Sequence, residues 1–124
     1  MADFTAGQVL TAADLNAALE TLEANDQSGA TYTLALTDAG NAVNFTNSGS
    51  AVTVTVPPNS SVAFDTGTVI GLHAASTAVV TIAAGSGVTV SAYGSANKIV
   101  GQYGVAVLWK RGTNTWTLGG AVTA

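Results

Sequence analysis

The sequence predicts a mainly β protein, in which a short N-terminal arm and helix precede an antiparallel β-sandwich or jelly-roll-like body of about eight strands. Three observations carry that expectation. Apolar residues repeat at helical spacing only near the start of the chain. They alternate with period two from Thr31 onward, and glycine-bearing turns punctuate the alternation at short intervals. The boundary falls near residue 28, which gives an N-terminal docking or oligomerisation segment over 1–28 and an antiparallel β domain over 29–124.

The helix is signposted from Thr11. Its side chain can cap free backbone N–H groups, and Asp14 three residues later makes an acidic variant of the capping box. Leu10 before the cap and Leu15 after it have the spacing of a hydrophobic staple. Leu15, Leu19 and Leu22 then fall on one stripe with Ala18 beside them, and Asn25 and Gly29 are stop signals. A helix this short is marginal alone in water. Burying its leucines stabilises it by about 1.5–3 kcal/mol each, provided that a surface is there to receive them. The narrow stripe resembles a coiled-coil seam more than a broad core face. Together with the preceding arm, Phe4, Val9, Leu10, Leu15, Ala18, Leu19 and Leu22 form the expected contact with sister chains or a larger assembly.

The β body is read strand by strand. Tyr32, Leu34 and Leu36 alternate with Thr33 and Ala35; Val43 and Phe45 flank Asn44; Val52, Val54 and Val56 alternate with Thr53 and Thr55. Turns at Ala39-Gly40 and Ser48-Gly49 would put all these apolar residues on one face of a three-stranded antiparallel meander. Pro57-Pro58 ends the run, because proline cannot donate to a ladder. An edge segment at 62–64 and strands at 68–72, 78–82 and 88–91 follow, with Ala84-Gly85-Ser86 as a hairpin loop. The last hairpin turns at Gly112-Thr113, which sets Trp109 opposite Trp116 and Val107 opposite Leu118 as a core hairpin, with Lys110 and Arg111 at a polar tip. No repeat of 20–50 residues is evident, so a solenoid is not expected.

Composition narrows the function classes. Of 124 residues, 48% are hydrophobic and only 8% charged, against roughly 25% charged in ordinary globular proteins. Scattered charge keeps protein surfaces apart, so its scarcity implies that other chains cover part of this one. The net charge is −4, and Lys98, Lys110 and Arg111 are the only basic residues, which argues against nucleic acid and anionic membrane as partners. Without cysteine there is no disulfide or thiolate chemistry. The opening MADFTAGQVL shows no secretory signal, so synthesis in a cytosol is expected.

The residues offer no catalytic constellation. His73 is the single histidine, and no spacing joins it to a serine and to Asp38 or Asp65 as a triad. A metal site needs three or four ligands. Asp38 sits in a turn, where aspartate bonds local backbone, so an Asp38–Asp65 glycosidase pair is not favoured. The glycines form no nucleotide motif. The expectation is no enzyme, no cofactor and no metal. Trp109, Trp116, Tyr93 and Tyr103 leave one rival, a sugar-stacking platform, although the hairpin register assigns both tryptophans to the core.

FTAGQVLTAADLNAAL near the start resembles a recurrent N-terminal segment of tailed-bacteriophage virion proteins. VTVPPNSSVAFDTGTVIGL and GQYGVAVLWKRGTNTWTLGG are similar to β modules of phage tail-fibre and head-decoration proteins. The resemblance implies a non-enzymatic virion protein, commonly a homotrimer, that contacts the major capsid protein or another virion protein. Tail fibres continue into a long shaft and tip, whereas this sequence stops soon after the Trp hairpin. The expectation is therefore a capsid decoration, cement or head-fibre protein on the capsid surface. A tail fibre, adaptor or spike component, or a host-glycan-binding module, are the alternatives.

Overall fold

The computed structural model describes residues 24–124, and the helix expected from Thr11 to Leu22, with the arm before it, lies outside them. Asn25, expected as a helix stop, is in a strand. The strands are β1 (Ala24–Gln27), β2 (Thr31–Thr33), β3 (Ala42–Phe45), β4 (Val52–Val56), β5 (Val69–Ala74), β6 (Val80–Ala84), β7 (Thr89–Ala92), β8 (Lys98–Ile99), β9 (Val105–Gly112), β10 (Thr115–Gly120) and β11 (Val122–Thr123). Among the described residues the only helical elements are 3-10 turns at Leu36–Asp38 and Tyr93–Ser95.

The expectation of an antiparallel sandwich or jelly roll is overturned. The chain is a β-solenoid of about three turns with mixed sheets. Each turn lays one strand in each of two sheets. β1, β3 and β5 stack in parallel on one side, and β2, β4 and β6 stack in parallel on the other. After the third turn the chain changes habit. β9 pairs antiparallel with β5, β10 antiparallel with β9, and β7 parallel with β10, which completes a six-stranded sheet in the order β1-β3-β5-β9-β10-β7. β8 and β11 extend the second sheet to β11-β8-β6-β4-β2.

The three-stranded meander fails for a physical reason. Period-two alternation fixes which side chains face inward, but not whether the neighbouring strand is the next in sequence or the next turn. The connection after Phe45 is not a tight hairpin. Asn47 Oδ1 accepts from the N–H groups of Gly49 and Ser50 at 2.9 and 3.0 Å, and this Asx-type turn carries the chain across to the other sheet. The segment at 62–64 is loop, although Phe64 is buried, and Ala84-Gly85-Ser86 joins strands that do not pair. The repeat escapes notice because its steps are unequal. Tyr32, Val54 and Ile82 stack in one sheet and Ala24, Ala42 and Gly71 in the other, and the second step is longer in both.

Inward-facing residues of both sheets make one core. Val43, Phe45, Ile70, Leu72, Leu108, Trp116 and Leu118 come from the six-stranded sheet, and Val52, Val54, Val56, Val80, Ile82 and Ile99 from the five-stranded one. Phe64 meets the Trp116 ring edge-on, with centroids 5.5 Å apart. The open end of the first turn is closed by polar groups. Tyr32 Oη donates to Asp38 Oδ2 at 2.6 Å, Asn25 Nδ2 donates to Tyr32 Oη and Asp38 Oδ1, and the Ala35 N–H donates to Asp38 Oδ2. Asp38 thus does the local turn work expected of it and also ties β1 to β2 while buried. Burial, and then the neighbouring Asp38 carboxylate, push the Tyr32 phenol up to about 12.

The last hairpin is corrected by one residue. Gly112 pairs with Thr115, so Thr113-Asn114 is the tip, and a bulge between Thr115 and Trp116 shifts the register. Trp109 therefore faces Thr117, Trp116 faces Lys110, and the two tryptophans lie on opposite sides of the sheet. Trp116 and Leu118 are core, whereas Trp109 is 48% exposed and Val107 is exposed with it. Lys110, expected at a polar tip, is buried. Its Nζ donates to Asn59 Oδ1 at 2.7 Å and to the Phe64 carbonyl at 2.6 Å, both neutral acceptors, and lies 5.9 Å from the centre of the Trp116 ring.

Candidate functional site: the outer face of the six-stranded sheet

The strands that build this face place its side chains in three rows that cross the sheet, because residues in register lie side by side. The first row is Val69, Trp109, Thr117 and Ser91. The second is Ala24, Ala42, Gly71, Val107 and Gly119. The third is Asp26, Asn44, His73 and Val105. Val69, Val105, Val107 and Trp109 are all exposed large apolar residues. Between them, over Gly71, lies a shallow hollow of about 270 Å³ lined by Ala42, Val69, Gly71, His73, Val105 and Val107. The hollow exists because a glycine stands where its neighbours carry side chains. A Cβ at Gly71 would meet the Ala42 Cβ at 3.3 Å.

The third row is a polar ladder along one margin. Asn44 Nδ2 donates to Asp26 Oδ1 at 3.0 Å, which leaves Asn44 Oδ1 to accept from His73 Nδ1 at 2.7 Å. The hydrogen-bond sequence assigns the proton to Nδ1 and leaves the Nε2 lone pair unclaimed by the ladder. The Tyr103 ring stacks on His73, centroids 6.5 Å apart. Tyr103 is held there with φ at +66°, unusual for a residue with a side chain. On the other margin Arg111 lies over the Trp109 ring at 5.5 Å, a cation–π contact that covers part of one indole face.

A continuous apolar run such as VAVLW in β9 is the pattern of a strand covered on both sides. In this structure only its inner side is covered: Ala106 and Leu108 are in the core, while Val105, Val107 and Trp109 meet solvent. The sequence-predicted residues are thus divided. Trp116 and Leu118 belong to the core and Val107 and Trp109 to the outer face. Phe4, Val9, Leu10, Leu15, Ala18, Leu19 and Leu22 lie outside the described residues. Val69, Gly71 and Val105 join the face without having been singled out for it. The signal that marks Val105 is the double-sided hydrophobicity of β9; Val69 and Gly71 reach the face through the pairing of β5 with β9.

The other residues weighed for chemistry are dispersed by role. Asp38 is consumed by the first-turn knot, and Asp65 is exposed on the loop between β4 and β5, where its carbonyl accepts from Thr68. His73 is engaged by Asn44 and Tyr103. Among the described residues no group of three or more His, Cys, Asp or Glu is placed to hold a metal ion. No family model, no curated protein and no solved structure matches this chain.

Proposed function

We propose that this chain is a non-enzymatic structural component of a phage virion, made in the host cytoplasm, that works by burying the outer face of its six-stranded sheet against other chains. The observation that supports it most is the group of exposed apolar residues, Val69, Val105, Val107 and Trp109, on the outer face of the six-stranded sheet, in a chain with few charges. Monomeric proteins seldom leave contiguous apolar patches uncovered, and patches rimmed by polar residues mark association sites. The mechanism is passive. Apolar area buried only in the assembled particle adds binding free energy to that state and stabilises it by linkage. Capsid decoration, cement or head-fibre duty, as a homotrimer on the major capsid protein, is the reading that joins this face to the virion-like sequence segments.

Two measurements test it. Particles that lack the protein should lose resistance to heat and low salt, and equal resistance removes the cementing role. Copy number distinguishes the capsid from the tail: hundreds of copies per particle fit the shell, a few to tens fit a fibre, adaptor or spike. One observation favours a second reading. Trp109 is exposed beside Thr117 and Ser91, so an indole with flanking hydroxyls is available to stack on a host sugar. A glycan array with no signal above that of Trp109→Ala removes this alternative.

A further inference from the structure

The large apolar side chains of the outer face are not spread over the sheet. Val69, Val105, Val107 and Trp109 all belong to β5 and β9, the third and fourth of its six strands. In the middle row these two strands set a knob beside a hole. Val107 stands out from β9, and next to it on β5 Gly71 floors the hollow. In the neighbouring row Trp109 stands beside Val69. A second copy, turned over about a line drawn between β5 and β9, presents the same knob and hole in reverse order. Such a face is complementary to itself, which is the condition for a twofold contact.

We infer that two copies pair face to face through this sheet, about a twofold axis that runs parallel to the strands midway between β5 and β9. Val107 of each copy then enters the hollow over Gly71 of the other, Trp109 lies against Val69, and β3 and β10 cover one another. The strands of the two sheets stay aligned, as they do in sheets packed face to face about 10 Å apart. A twofold running across the strands would put Val107 on Val107 and leave the two hollows facing each other. That arrangement loses contact at the holes and crowds the knobs.

Two further observations favour a copy of this chain over another occupant. Gly119 lies inside β10, and a Cβ there would meet nothing within 4 Å. The chain's own packing does not call for a glycine, which weakens a strand and marks places where another backbone comes close. The twofold brings Ala42 of the second copy over this position, because β3 and β10 flank the central pair on either side. Charge is complementary too. Arg111 continues β9 beyond Trp109 on the same face. Beside it on the β5 side is Gly67, whose N–H donates to the Lys110 carbonyl at 2.7 Å. The twofold therefore carries Arg111 of one copy over the turn at 65–68 of the other, where Asp65 is exposed. Among the described residues neither group has an ion-pair partner. The contact uses one face only, so a homotrimer held through other surfaces would be joined by it to the next trimer.

This inference rests on the assembly reading above, and the two fail separately. Sedimentation of the full chain at micromolar concentration should show a dimer or a larger even-numbered species. A monomer or a lone trimer overturns the pairing and leaves the assembly reading to the particle experiment. Gly119→Val should weaken association about tenfold or more while the unfolding midpoint of the dilute chain holds or rises, since valine suits a strand better than glycine. Unchanged association overturns the inference; if the midpoint falls instead, the charge variants decide. Val69→Lys and Trp109→Glu, both at exposed positions, should each weaken association about tenfold or more, because each sets a charge in an apolar contact. Mixed in equal amounts they should associate several-fold more tightly than either alone. A mixed pair sets the introduced ammonium against the introduced carboxylate and keeps the native contact on the other side of the axis. Recovery with Val105→Lys and Trp109→Glu instead would run the axis across the strands, and recovery with neither mixture would place no twofold on this face. Either result overturns the inference.

Discussion

The two sheets carry opposite characters on their outer faces, although they share one core. On the five-stranded sheet Thr31, Thr53 and Thr81 lie in one row that ends on Lys98, and Thr33, Thr55 and Ala83 in the next. On the six-stranded sheet the comparable rows hold Ala42, Gly71 and Val107, and Val69 beside Trp109. Solenoid stacking explains how such rows arise. Residues from successive turns fall into register, so a preference at one position becomes a stripe across the sheet. Threonine is a good strand residue whose hydroxyl keeps its face wettable. Folding asks only that the inner faces be apolar, and both are. The aliphatic outer stripe is therefore not a requirement of the fold, and its explanation has to come from what lies against it.

The sharpest break between inside and outside runs through one hairpin. Trp116 is 1% exposed and Trp109 is 48% exposed, so one substitution type tests two environments. Trp116→Ala should cost about 3–5 kcal/mol of stability, the range for deleting a buried aromatic. Trp109→Ala should change stability by less than about 1 kcal/mol, because a surface ring loses little packing. Chemical denaturation of the two variants at equal concentration reads the difference. Comparable losses would mean that the hairpin register is the one with both tryptophans in the core.

Lys110 sharpens the same contrast one residue along. It points inward from the strand whose Trp109 points outward, and its ammonium replaces water with Asn59 Oδ1 and the Phe64 carbonyl. Lys110→Met keeps most of the volume but leaves both acceptors without their donor. A loss of about 1–3 kcal/mol is expected, the cost of stranding buried polar groups. Arg111→Met, on the outer side, should be within about 0.5 kcal/mol of the parent. Thermal unfolding of the pair decides it.

Exchanging the faces is a gentler test. Val105→Thr, Val107→Thr and Trp109→Thr together would give the six-stranded sheet the surface of its neighbour. Association should weaken about tenfold or more while the unfolding midpoint of the monomer hardly moves, since the exposed positions contribute little packing. The converse, Thr53→Val with Thr81→Val, should make the quiet face adhesive, seen as concentration-dependent light scattering. A triple-threonine chain that associates as before would show that the outer face is not the contact.

Much of this was legible in the sequence, and the part that was not has a physical cause. The strands at Val52–Val56 and Thr115–Gly120, the break at Pro57-Pro58 and the inward set Val43, Phe45, Val52, Val54 and Val56 follow from alternation and turn chemistry alone. Alternation is blind to pairing partners, so a parallel stack read as a meander. Unequal loops, such as the long excursion that buries Phe64 between β4 and β5, hid the repeat. The outer face was misread at a single turn. A tip at Gly112-Thr113 or at Thr113-Asn114 sets Trp109 opposite an even-numbered residue alike, so it was the missed bulge between Thr115 and Trp116 that moved Val107 and Trp109 inward by parity. The near-continuous apolar run in β9 held the information that both of its sides want cover.

The smallest effect concerns the place where the two sheets are tied together. Asn25 belongs to the six-stranded sheet and Tyr32 to the five-stranded one, and Asp38 accepts from both. Tyr32→Phe removes one donor to the buried carboxylate and should cost about 1 kcal/mol. Its pH dependence is the more specific readout. Burial and the adjacent carboxylate raise the folded phenol from 10.0 to about 12, so the folded state holds its proton more tightly than the unfolded chain does. The contribution is therefore complete below pH 10 and is lost as the pH rises from 10 towards 12. In that window the parent should lose stability more steeply than Tyr32→Phe. Denaturant midpoints collected across the window measure the slopes. Parallel slopes for the parent and Tyr32→Phe would mean that the phenol does not meet Asp38, and the knot joining the first strands of the two sheets would be lost with it.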